Sequence, residues 1–144
     1  KLQERIGEVT PENLLQLNDA EMKACHFSRQ KTGYARHLAE AVLGGDLDLA
    51  ALQNLPDEEA KVQLMRIKGI GNWTADIYLL MALLRTDIMP KGDLALHIAY
   101  QRIKNLETRP SPDEFIEKTK VWKPYRSVAA RLLWHFYLSG KKPN

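Results

Sequence analysis

A Gly-x-Gly interruption inside an otherwise helical, apolar run is the feature that most constrains this chain: LMRIKGIGNWTADIYLLMALL, residues 64–84. The run reads as the end of one helix, a tight hairpin and a second, almost wholly apolar helix over residues 73–84. An all-α domain of short helices is expected around that second helix. Gly69 and Gly71 bracket Ile70; glycine takes positive φ without steric penalty and leaves the backbone bare for a close partner. Asn72 is placed to cap the helix that follows, and Ile67 and Ile70 to tuck the hairpin onto the core. The backbone N–H groups of Lys68, Gly69, Ile70 and Gly71 would then form a small anion site at a helix N-terminus, of a kind that suits a DNA phosphate. Short glycine patterns are also common in plain helix–helix turns, so the spacing alone leaves both readings open.

Elsewhere the chain marks its helices with caps. Thr10-Pro11-Glu12 supplies a capping hydroxyl, a proline at the first helical position and an acid in the first turn, opening a short helix over residues 12–17. Asp19 starts another through residue 25. Ser28 caps a longer helix over residues 29–43, which Gly44-Gly45 stops. Tyr34, Leu38, Ala41 and Val42 share its inner face, and Arg29, Lys31 and Arg36 face water. A short turn beginning at Asp46 or Asp48 ends at Leu55. Pro56 and the acids at 57–59 start the helix that runs into the hairpin at Arg66; their favourable interaction with the helix dipole accounts for this charge run. Pro90 and Gly92 keep residues 85–93 out of helix. Asp93 then precedes a clear helical pattern, LALHIAYQRI. Ser111-Pro112-Asp113-Glu114 is a capping box whose helix runs to about residue 121. Trp122-Lys123-Pro124 breaks it, and a last helix covers about residues 125–138, ended by Gly140. The opening KLQERIG reads as the end of a helix, and the tail at 141–144 is expected to fray. No stretch sustains period-two alternation, so no strand is predicted.

Length and composition set outer limits. A chain of 144 residues suits one domain, taken here as residues 1–144, with a modest core. No apolar run is long enough to span a bilayer and there is no secretory signal pattern. The single cysteine, Cys25, excludes an internal disulfide and a four-cysteine zinc or iron–sulfur cluster within the chain, and fits a reducing, intracellular compartment. A net charge of +3 permits nucleic-acid binding without establishing it.

Asp93 is the carboxylate of interest. A plain N-cap worth about 1 kcal/mol accounts for it when taken alone. Its loop joins the helix leaving the hairpin to the next one, so that hairpin and Asp93 are expected to face one ligand. Trp73, in the first turn after the hairpin, is open to a core or a pocket role. Core packing is the default for Trp122, Trp134, Tyr137 and Tyr78. His26, His37, His97 and His135 show no metal-ligand spacing and read as structural or surface residues. Cys25 beside His26 is too local to be a nucleophile–base pair. Basic residues gather at Arg29/Lys31/Arg36, at Arg66/Lys68 and at Lys118/Lys120/Lys123/Arg126, as either a solvated face or a phosphate-tracking one.

These residues resemble a known family. LMRIKGIGNWTA at 64–75 resembles the hairpin of the helix-hairpin-helix DNA glycosylase superfamily, and Pro90-Lys-Gly-Asp93 resembles its Gly/Pro-rich loop ending in the catalytic aspartate, 22 residues beyond Gly71. WKPYRS at 122–127, followed by Trp134, is similar to the closing segment of the alkyladenine branch, the 3-methyladenine DNA glycosylase II type. The resemblance covers roughly residues 10–139. Members with lyase activity carry a lysine where this chain has Trp73, so the resemblance implies a monofunctional glycosylase with no Schiff-base amine. It implies base flipping, Asp93 stabilising an oxocarbenium-like sugar, and a base pocket of Trp73, Ile77 and Trp134, the tryptophans stacking on a cationic alkylated purine. It implies DNA contacts from Lys68, Gly69, Ile70, Gly71 and Asn72. Main-chain carbonyls of Met65, Ile67 and Ile70 would hold a sodium or potassium ion; no other cofactor is expected. The partner implied is double-stranded DNA carrying alkylated bases, in the first step of base excision repair, handled by a cytoplasmic, nucleoid-associated monomer of bacterial type without membrane attachment. The family's upstream helices with their wedge segment would lie ahead of Lys1, so the resemblance implies that residues 1–144 are a C-terminal portion of the family's full domain. A non-catalytic helix-hairpin-helix DNA-binding module and an all-α protein-interaction adaptor are the competing readings.

Overall fold

The computed structural model describes residues 1–140; the tail whose fraying was expected, 141–144, lies outside the described residues. Those residues form α-helices and two 3-10 turns without a strand, as the periodicity predicts. None of the helices is long and apolar enough to cross a membrane. The chain divides into two compact parts, Lys1–Ile70 and a second from Gly71 onward.

In the first part, α1 (Leu2–Ile6) ends at Gly7 with φ 70°. Then come α2 (Pro11–Leu15), α3 (Asp19–Ala24) and α4 (Arg29–Leu43). Each start is a side-chain cap: Thr10 Oγ1 accepts from the Asn13 N–H, Ser28 Oγ from the Lys31 N–H, and Asn18 forms a reciprocal capping box with Glu21. Helices α2 and α3 pack on α4. The buried face of α4 is set by Thr32, Ala39 and Ala41, with Tyr34, Leu38 and Val42 half-buried beside it. Arg36 is partly exposed, as the pattern suggested, but it is not free. Its guanidinium bonds to Asp19 Oδ1 at 2.6 Å and the Leu17 carbonyl at 2.8 Å, tying α4 to the α2–α3 turn. A 3-10 turn (Ala51–Asn54) leads to α5 (Asp57–Met65), whose first turn carries Asp57, Glu58 and Glu59.

After α5 the chain turns through Ile67, which is buried, and Gly69, at φ 99°. A Cβ built on Gly69 would stand 2.3 Å from the Tyr34 ring. Gly69 is therefore required twice, by its left-handed conformation and by the ring laid against it.

The second part begins with Gly71, which takes the N-cap position of α6 (Asn72–Met81) in an extended conformation. Asn72 was expected to be that cap. It is instead the first helical residue, because its backbone already turns with the helix and no side-chain cap bond forms. The helix also stops short of residue 84. The Ala82 and Leu83 N–H groups both donate to the Tyr78 carbonyl, Leu84 enters the left-handed region at φ 54°, and Arg131 takes the Leu80 carbonyl at 3.0 Å. Next are α7 (Leu94–Ile103), α8 (Pro112–Thr119), a 3-10 turn (Lys120–Trp122) and α9 (Arg126–Ser139). Helices α7 and α9 pack together, with Leu96, Ala99, Ala130 and Leu133 buried. The Ser111–Glu114 capping box forms as predicted.

The loop between α6 and α7 is irregular but closely bonded. The Arg85 N–H donates to the Leu79 carbonyl, and the Thr86 carbonyl accepts from the Ser127 N–H. Asp87 meets Arg126 in a two-pronged pair, Nε to Oδ1 at 2.6 Å and a terminal nitrogen to Oδ2 at 2.9 Å; the same nitrogen reaches the Asp87 carbonyl at 2.9 Å. Ser127 Oγ accepts from the Ile88 N–H at 2.9 Å and donates to the Ile88 carbonyl at 3.3 Å. Ile88, Met89 and Pro90 are buried. Further on, the Lys91 N–H donates to the buried Asp76. Arg126 therefore does not belong to the free basic surface on which its charge had placed it. Hydrogen bonding from Arg126 holds the Asp87 carboxyl below the usual carboxylate range.

Two stability outcomes follow from these bonds. Gly69→Ala should destabilise by about 1–3 kcal/mol from backbone strain alone, more with the ring clash, and adding Tyr34→Ala should return only the clash portion in urea unfolding. Asp87→Asn should destabilise by about 1–3 kcal/mol near neutral pH. Because the folded-state pKa of Asp87 is depressed, its contribution is present above the ordinary carboxylate range and is lost as pH falls through the lower folded value. The gap between wild type and Asp87→Asn should accordingly close in acid, read as unfolding midpoint against pH.

Candidate active site

Asp93 stands where the pinned loop becomes α7. Gly92 turns into the helix at φ 81°, and Asp93 adopts an extended N-cap conformation. One carboxylate oxygen, Oδ1, accepts from the Leu96 N–H at 3.0 Å. That is the capping role the sequence allowed. The other oxygen, Oδ2, accepts from the Trp73 indole N–H at 2.9 Å, from the first turn of α6. A cap needs only the first bond. The second fixes the direction of the carboxylate and joins it to an aromatic ring.

The exposures of the two residues differ in a useful way. Asp93 is 7% exposed, while Trp73 is 48% exposed. A large apolar ring on the surface, its polar edge on a buried carboxylate, leaves the rest of its surface for something else. The pair thus offers a fixed negative group beside an open aromatic surface, with the N-terminal end of α7 supporting the charge. Chemically, such a group can stabilise a positive centre brought against it or orient a water molecule.

Ile77 lies one turn beyond Trp73 on α6 and Trp134 lies on α9; both are half-buried. Among the described residues, neither makes a hydrogen bond or ring contact with Trp73 or Asp93. Trp122 packs edge-on against Tyr100 at 5.8 Å between centroids, as core packing required. The sequence reading missed Asp76, although an acid on a helix as apolar as NWTADIYLLM is a signal in itself. It named Ser127 only as the last residue of WKPYRS and gave it no role.

His97 is buried. Its Nδ1–H donates to the Pro110 carbonyl at 3.1 Å, its ring lies 4.3 Å from Phe115 between centroids, and burial pushes the imidazole below its ordinary value. It is a core histidine, as anticipated. No cluster of three or more His, Cys, Asp or Glu side chains is placed to hold a metal among the described residues.

In the hairpin turn, the Ile70 N–H donates to the Ile67 carbonyl at 3.0 Å. That amide is therefore not presented outward as the anion-site reading supposed, because closing the turn takes it. The Ile67 carbonyl keeps its second lone pair. Arg66 and Lys68 are exposed, and Lys68 borders an open groove with Arg29, Tyr34 and His37. In the third basic cluster, Lys120 pairs with Glu117 at the surface and Arg126 is taken by Asp87.

Comparison with known proteins gives this geometry a family. Residues 1–124 match the HhH-GPD superfamily base excision DNA repair proteins. DNA-3-methyladenine glycosylase 1 of Schizosaccharomyces pombe is 32% identical over 126 residues, covering 87% of this chain and 55% of that protein. A DNA-3-methyladenine glycosylase of Bacillus subtilis is 30% identical over 131 residues, covering 91% and 41%. Among solved structures, the S. pombe enzyme in complex with abasic DNA superposes with a TM-score of 0.82 at 32% identity, covering 87% of this chain and 61% of that one. The chain spans about half the length of the curated relatives it matches. With the family match running through the hairpin, the pinned loop and the capped aspartate, the chain belongs to the HhH-GPD superfamily of base excision DNA repair proteins.

Proposed function

We propose that this chain carries the catalytic centre of a monofunctional DNA glycosylase that releases alkylated purines of the 3-methyladenine type. The observation that supports it best is the double hold on Asp93, one oxygen on its own helix and the other on the half-exposed Trp73. The target nucleotide leaves the duplex because its glycosidic bond is unreachable in the stack. Asp93 then faces the anomeric carbon and stabilises the positive charge that develops there as the bond to the base breaks. A 3-alkylated adenine is cationic and leaves readily, so the pocket selects rather than protonates. Trp73 and Trp134 supply ring faces for that cation, each such contact being worth about 0.5–2 kcal/mol, and Ile77 shapes the pocket beside Trp73. With an indole at position 73 in place of an amine, no Schiff base forms and the strand is left uncut.

The hairpin supports the DNA half of this reading through a contrast between its glycines. Gly69 is demanded by its own conformation and by Tyr34. Gly71 has neither a left-handed φ nor any atom within 4 Å of an added Cβ. Its bareness serves nothing inside the chain and suits a phosphate backbone drawn close, with Lys68 and Asn72 alongside. The carbonyls of Met65, Ile67 and Ile70 are all-oxygen donors of the kind a hard monovalent cation takes, and they are proposed to hold one against DNA.

Two measurements test the proposal. Wild type should release free 3-methyladenine from methylated duplex DNA without strand scission, and Asp93→Asn should keep DNA binding while slowing release by about 100-fold or more. Absence of release from wild type, with salt-dependent binding intact, would favour a non-catalytic module. Gly71→Ala should unfold within about 1 kcal/mol of wild type yet lose about tenfold or more in affinity for duplex DNA by fluorescence anisotropy.

A further inference from the structure

We propose that Arg126 and Ser127, in the first turn of α9, are positioning residues for Asp93, acting through the loop between α6 and α7. The inference rests on the glycosylase reading and adds to it the pair that fixes where the carboxylate stands. The side-chain hydrogen bonds of both residues go to the loop. Ser127 is 5% exposed and both of its Oγ bonds go to the backbone of Ile88. Arg126 uses its Nε and one terminal nitrogen on the carboxylate and carbonyl of Asp87.

What these bonds hold is the approach to Asp93. From Ile88 the chain runs through buried Met89 and Pro90, whose ring fixes φ, to Lys91, whose N–H is tied to Asp76. One left-handed glycine, Gly92, then separates Lys91 from Asp93. A span anchored at 87–88 and again at 91 leaves the following residue little freedom. The anchors come from two helices: α9 at one end of the span, α6 at the other. Because α6 also carries Trp73, the anchoring sets the register between the Asp93 carboxylate and the indole N–H that meets it. Irregular backbone finds its hydrogen-bond partners in side chains when it has no ladder of its own, and here those side chains determine the placement of a catalytic group.

A purely structural role predicts something different. It would lower stability in proportion to the lost bonds and leave the geometry at Asp93 intact in the molecules that remain folded. The two are separated by Ser127→Ala and Arg126→Lys. The first removes only the Oγ bonds, and the second keeps the charge but loses the planar fork. The indole N–H resonance of Trp73, identified by its loss in Trp73→Phe, reports the bond to Asp93 in each folded variant. It should shift and its hydrogen exchange should quicken by about tenfold or more. Single-turnover base release from methylated duplex DNA should fall by about 30- to 100-fold, with affinity for abasic-site duplex changed by less than about twofold. Guanidinium ion added to Arg126→Ala should recover part of the rate. An unchanged Trp73 resonance, with release per folded molecule equal to wild type in Ser127→Ala, would overturn the positioning role even if the melting temperature drops. Should wild type release no base, the glycosylase reading fails by itself, while the Trp73 resonance still decides for or against the anchoring.

Discussion

The loop between α6 and α7 has no regular backbone pattern, and the arrangement of the site depends on the side chains that replace one. Residues 85–93 would expose a row of unpaired N–H and C=O groups if left alone. They are met instead by the α6 terminus, by Arg126 and Ser127, and by Asp76. The two-pronged Asp87–Arg126 pair is the strongest of these, because both partners are charged, planar and largely sheltered. Its value lies less in net stability, which for such pairs is offset by desolvation, than in specifying one loop path among many. A loop fixed in this way can end on a residue whose position matters, and it ends on Asp93.

Much of the helical framework was legible in the sequence because caps are local. Ser28, Ser111 and Asp93 each begin a helix within a residue of the predicted start, and each does so by one side-chain oxygen reaching an amide three residues on. Asn72 misled because an asparagine before an apolar run is a good cap in general. Here Gly71 was free to take the extended cap conformation one residue earlier. The early end of α6 was also hidden, since the bond that receives its last turn comes from Arg131, 51 residues away from Leu80 in sequence.

The candidate residues stood out in the sequence, but their supports did not. Asp93 and Trp73 stood out as a carboxylate at a helix start and a tryptophan at a hairpin, and they prove to be hydrogen-bonded to each other. The motif WKPYRS was recognisable as a string, but its work was not. Arg126 read as one more cation in a basic run because nothing in the spacing points to Asp87, 39 residues upstream. Arg36 stays partly exposed, but its partner Asp19, 17 residues back on another helix, was equally hidden. Charge runs read as solvated faces until tertiary structure brings the opposite charge to them.

Placing the proposed catalytic carboxylate at an N-cap has a consequence for how such a site would combine stability with activity. A carboxylate buried for function alone would carry a desolvation penalty of several kcal/mol. At the start of α7, the same group satisfies an amide that needs a partner in any case and lies at the favourable end of the helix dipole. Its burial is therefore offset by an interaction the fold already requires. The Trp73 bond adds direction, and it comes from a ring that stays half-exposed. Capping and catalysis were opposed readings of Asp93 at the level of sequence. In the folded chain the cap occupies one oxygen and the Trp73 indole the other, so the cap does not exclude the proposed catalytic role.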